Sequence, residues 1–72
     1  MNIYFKSISL VMSKLKEGES LPLTKLTNSI DRSLNINKIL NELDIMARKG
    51  YIKIDNQSNI TLTEVGYNLF NL

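Results

Sequence analysis

The chain has 72 residues, nine lysines and arginines against seven carboxylates, a net charge of +2, and neither cysteine nor histidine. That composition excludes a disulfide framework and any thiolate or imidazole metal centre, and it removes the residues most used as nucleophile and general base. A chain this short buries only about 60% of the surface its unfolded form exposes, so one marginally stable domain spanning 1–72 is expected, and a partner subunit would add stability.

From Met1 to Lys16 the apolar residues Tyr4, Phe5, Ile8, Val11, Met12 and Leu15 recur at helical spacing and predict a first helix ended by Glu17-Gly18. Ile3 and Leu10 fall outside that stripe, seven residues apart on the opposite face. They are read either as scattered exposed side chains or as part of a dimer seam. Ser20-Leu21-Pro22-Leu23 is short, and its proline has no amide to donate, so it is expected as an edge strand. Thr24 is expected to cap a short second helix whose face is Leu23, Leu26 and Ile30. A turn over Asp31-Arg32-Ser33-Leu34 then leads to a long helix over 35–49, capped by Ser33 or Asn35.

In that helix Ile36, Ile39, Leu40, Leu43, Met46 and Ala47 are expected to pack inward. Arg48 and Lys49 suit the negative end of the helix dipole, and Gly50 the left-handed residue beyond it. The period then changes to two: Ile52 and Ile54 point one way, and after the polar loop Asp55-Asn56-Gln57-Ser58-Asn59 the alternation resumes with Ile60 and Leu62. Thr63 caps a last helix with Glu64 in its first turn. Val65, Leu69 and Leu72 line one side of it. Tyr67 and Phe70 line the other, and are expected to fold back on the domain or to join Ile3 and Leu10 in a subunit contact, which is the preferred reading.

The ordered spacing of Ile39, Leu43 and Met46, then Gly50-Tyr51-Ile52, then Leu62-Thr63 and Gly66, resembles winged helix-turn-helix DNA-binding proteins of the MarR-like and PadR-like type. In those families an apolar recognition-helix ladder leads into a K-G-Y-I strand, and an L-T-x-x-G step closes the wing. The resemblance covers roughly residues 20 to 70. It implies an α+β, mostly α architecture, with a three-helix bundle, a two- to three-stranded antiparallel wing and a C-terminal helix. The wing here carries no arginine at its tip.

A helix of this kind reads double-stranded DNA in the major groove with the side opposite its apolar face. Asn37, Lys38, Asn41, Asp44, Ile45 and Arg48 are expected there. Its N-terminal half carries the base contacts, so Asn37, Lys38 and Asn41 are the candidates, asparagine matching adenine N6 and N7 and lysine reaching guanine or phosphate. Lys25 and Thr27, Arg32 and Ser33, and Lys53 with Asn56, Gln57 and Asn59 on the wing are the expected phosphate contacts. A homodimeric transcriptional regulator follows, with Ile3, Leu10, Tyr67 and Phe70 as candidate dimer contacts.

The alternatives are a protein-interaction or assembly module on the same fold, or a single-stranded nucleic-acid binder. No enzyme is expected: Glu42 and Asp44 lie two apart and do not face one another, and Gly18, Gly50 and Gly66 form no phosphate cradle. No metal, cofactor or small-molecule ligand is implied. No apolar run approaches the roughly 18 residues of a membrane span, and the start lacks the pattern of a secretory signal, so the expected location is the cytoplasm.

Overall fold

A computed structural model describes residues 2–72. The elements follow as α1 (Ile3–Met12), β1 (Ser20–Pro22), α2 (Leu23–Ser29), α3 (Ile36–Arg48), β2 (Ile52–Ile54), β3 (Asn59–Leu62) and α4 (Glu64–Phe70). About half of the chain is helical. The three strands form one antiparallel sheet in the order β1-β3-β2. No described helix is long and apolar enough to cross a membrane.

Asn2 opens α1 by accepting the Tyr4 amide at 2.8 Å on its Oδ1, which satisfies one of the otherwise unpaired first-turn donors. Ile8 and Met12 are fully buried, with Tyr4, Phe5, Val11 and Leu15 packed beside them. The helix expected to reach Lys16 stops at Met12. There the amides of Lys14 and Leu15 turn to the carbonyls of Val11 and Met12, three residues back rather than four, and the chain tightens out of the helix. Met1 lies outside the described residues.

β1 is an edge strand, as its proline requires. It pairs through Ser20↔Thr61 and Leu21↔Ile60, with Pro22 opposite Asn59 at the end. Thr24 does not cap the second helix. Pro22 takes the cap position with no side-chain hydrogen bond, because the Leu23 amide is held by the Ser58 carbonyl at 2.9 Å and helix and strand meet without a linker.

β2 and β3 form the hairpin in the register Ile52↔Leu62, Lys53↔Thr61 and Ile54↔Ile60. Ile52, Ile60 and Leu62 enter the core, whereas Ile54, at the far end of β2, is exposed. The core is completed by Leu26 and Ile30 and by Ile39, Leu43 and Met46 of α3. These side chains come from three helices, the segment after α2 and two strands, so no element has a buried face of its own.

α3 joins the hairpin through Gly50, at φ +80°, where a side chain would be strained. The Thr63 hydroxyl lies 2.6 Å from the Gly50 carbonyl and 2.8 Å from that of Tyr51, and accepts the Gly66 amide at 3.1 Å. One side chain therefore ties the exit of α3, the start of the hairpin and the first turn of α4. Gly66 sits so close to Tyr51 that a Cβ there would overlap the Tyr51 carbonyl oxygen and stand 3.0 Å from Leu62 Cδ1. The carbonyl belongs to the backbone and cannot swing away. Gly66→Ala is therefore expected to lower the unfolding free energy by about 1–3 kcal/mol, as overpacking does, a loss that urea titration would measure.

Candidate nucleic-acid interface

Asn35 caps α3, accepting the amides of Asn37 at 2.8 Å and Lys38 at 3.3 Å on its Oδ1. The same end of α3 is fastened to α1 twice. Asn2 Nδ2 donates to Glu42 Oε1 at 3.1 Å, and the Asn35 amide donates to the Tyr4 hydroxyl oxygen at 3.2 Å. Glu42 is only 8% exposed, so the Asn2 amide is what keeps its buried carboxylate from being an unpaired polar group.

This fastening corrects the expected facing of the helix. Ile39, Glu42, Leu43 and Met46 are the buried residues. Ile36 and Leu40, expected inside, are 48% and 42% exposed. At about 100° per residue, the buried arc is turned by about 50° from the one drawn through all the apolar positions. Ile45, expected on the free face, is half-buried.

The free face that results carries Asn37, Asn41, Asp44 and Arg48, with Lys38 on one flank and Leu40 on the other; all are exposed. No other part of the described chain covers it. Arg48 and Asp44 form an ion pair at 2.9 Å, one turn apart, near the C-terminal end. Such an exposed pair contributes little to stability, on the order of 0.3–0.5 kcal/mol, yet it holds the arginine away from other anions.

The surrounding candidates divide into those left open and those already engaged. Lys25 on α2 and Arg32 in the following turn are exposed, and Ser33, though exposed, is engaged with the Asp31 carboxylate. Thr27 is half-buried and its hydroxyl donates to the Thr24 carbonyl at 3.0 Å, so its proton is committed within the helix. Lys53 lies on the outer surface of the sheet in a shallow depression with Glu17 and Glu64. Two carboxylates beside it oppose an approaching phosphate.

Asn56 and Gln57 are exposed at the hairpin tip. Asn59 is half-buried and held there by Asp55. The loop is tied from within: Asp55 Oδ1 accepts the amides of Gln57 and Asn59, each at 2.9 Å, while Ser58 takes the left-handed conformation at φ +60°. Donation from the Asn59 backbone, followed by the Gln57 backbone and the Asn59 side chain, holds the Asp55 carboxyl below its ordinary range. Asp31 is lowered in the same way by the backbone and side chain of Ser33.

Of the expected dimer contacts, Ile3, Leu10 and Tyr67 are exposed. Phe70 is half-buried, folded back on the domain with its ring edge-on against Phe5 at 6.1 Å and Tyr51 at 6.3 Å. The aromatic contacts repay folding α4 back onto α1. Between these helices runs an apolar groove of about 360 Å³, lined by Phe5, Leu10, Leu69, Phe70 and Leu72 among others. Among the described residues, no cluster of carboxylates suits a metal ion.

Residue spacing could have signalled one missed feature: Glu42 is three residues from Ile39 and four from Met46, on the edge of the apolar stripe where those two residues lie. A polar partner from elsewhere had to be supplied, and Asn2 was invisible as that partner until the chain was folded. Compared with known proteins, the chain matches no family model, no curated protein and no solved structure.

The ionised form of Asp55 is favoured in the folded chain, so its contribution is fully present above the ordinary value of 3.8 and is lost as pH falls through the lower folded value. Thermal unfolding of wild type and Asp55→Asn, followed against pH, is expected to show a gap that is constant above about pH 5 and closes as pH falls below it.

Proposed function

We propose that this chain is a winged-helix protein that binds double-stranded DNA by inserting α3 into the major groove, acting in the cytoplasm as a transcriptional regulator and not as an enzyme. The observation that carries the reading is the uncovered face of α3, where Asn37, Lys38 and Asn41 stand free in the N-terminal half of a helix braced by α1 behind it. The order β1-β3-β2, with the hairpin directly after this helix, supports the winged-helix assignment. The tied loop of the hairpin offers Asn56 and Gln57 to the backbone flanking the groove. A homodimer, joined through Ile3, Leu10 and Tyr67, would present two such helices to half-sites about one helical turn apart.

Among the expected contacts Lys25, Arg32, Lys38 and Lys53 are the exposed cations, a small number. Binding should therefore be modest and salt-sensitive, with the logarithm of the affinity falling by about 0.9 per neutralised phosphate for each logarithmic unit of salt.

An interaction module is the second reading, favoured by the apolar groove between α1 and α4. Failure to bind random duplex at micromolar protein and low salt would support the module.

Selection of bound duplexes from a random pool tests the first reading. Lys38→Ala combined with Asn41→Ala should abolish the preference for the selected site and leave thermal unfolding nearly unchanged, since both side chains are exposed. A preference that survives the double substitution refutes the assignment of the base contacts. Asp44→Asn should release Arg48, raising affinity for non-specific duplex and steepening the salt slope by about 0.9.

A further inference from the structure

The open side of α3 is not uniformly polar. Ile36 and Leu40, one turn apart and each exposed over more than two fifths of its surface, form a row along the helix. Asn37 and Asn41, also one turn apart and exposed, form a second row directly beside the first. Both rows lie in the first turns of α3, the half that meets base edges when a helix enters a major groove. The core is filled without the apolar row, because Ile39, Leu43 and Met46 already supply the contact of α3 with the rest of the domain.

An A·T pair shows to the major groove adenine N7 and N6–H at one side and thymine O4 and the thymine C5 methyl at the other. An asparagine amide matches the adenine edge, and an aliphatic side chain matches the methyl. We infer that the two rows together read A·T pairs, Asn37 and Asn41 taking adenine edges while Ile36 and Leu40 take thymine methyl groups.

The inference rests on the DNA-binding reading above and adds the class of site bound. Charge favours a duplex as the occupant: Lys38 and Arg32 are open, whereas Asp44 is paired with Arg48 and Asp31 accepts the Ser33 amide at 2.9 Å. The Asp44 charge on the face is thus offset by Arg48, which leaves the exposed Lys38 and Arg32 to meet phosphates.

The test uses duplexes selected from a random pool and then resynthesised with deoxyuridine in place of thymidine, which removes the methyl and leaves the pairing and amide-reading edges intact. The selected sites should carry A·T pairs, and the uridine form should bind wild type about fourfold more weakly for each contacted methyl. Ile36→Ala combined with Leu40→Ala should bind the two forms equally, with circular dichroism confirming that the variant is folded. Equal wild-type affinity for both forms, or selected sites built of G·C pairs, overturns the thymine assignment while selective DNA binding stands. A variant that keeps the full preference for thymidine also overturns it. Absence of any duplex binding by wild type overturns both readings.

Discussion

A carboxylate set among Ile39, Leu43 and Met46 must find a donor or oppose the packing of the helix that carries it. Asn2 is that donor for Glu42, and the Tyr4–Asn35 hydrogen bond repeats the attachment at the start of α3. Together they set the rotation of α3 about its own axis. With Glu42 inside, Ile36 and Leu40 are carried outward, and the polar face is centred near Asn37, Arg48, Asp44 and Asn41. What α3 presents to a partner is therefore decided by residues at the far end of the sequence. Asn2 has two roles at once, capping α1 through one side-chain atom and holding Glu42 through the other.

The other end of α3 is governed by hydrogen bonds and steric closeness. Thr63 joins the carbonyls of Gly50 and Tyr51 to the amide of Gly66, and the missing side chain at Gly66 lets α4 lie against the Tyr51 backbone. The hairpin and the last helix are thereby fixed to the end of α3. Phe70 extends the attachment by packing between Tyr51 and Phe5. In a chain with so little core, polar junctions of this kind orient elements that hydrophobic burial alone would leave less well defined.

Electrostatics has a secondary role. The net charge is small, the ion pair between Asp44 and Arg48 is exposed, and Asp31 and Asp55 serve the backbone of their own turns. A duplex partner would be held less by a general positive field than by the shape and edge chemistry of α3. The groove between α1 and α4 is built from different elements, so contacts there with a second protein need not compete for the residues of the α3 face.

Much of the architecture was legible in residue order. The helix over Ile36–Arg48 is announced by its apolar spacing, its end by Gly50, the hairpin by alternation from Ile52 to Leu62, and the last helix by Thr63 and Glu64. Each of these signals is local, arising from backbone geometry and from side chains within a turn or two. Local spacing could not decide which arc of α3 is buried, because Ile36 and Leu40 are as apolar as Ile39 and Leu43, and only the placement of α1 distinguishes them. It could not decide whether Phe70 faces outward, since its partners are Phe5 and Tyr51, or whether Thr24 or Pro22 begins α2, since the hairpin holds the Leu23 amide. The sequence by itself determined which elements form and in what order. The tertiary structure alone decided which faces remain open, because burial is a relation between segments far apart in the chain.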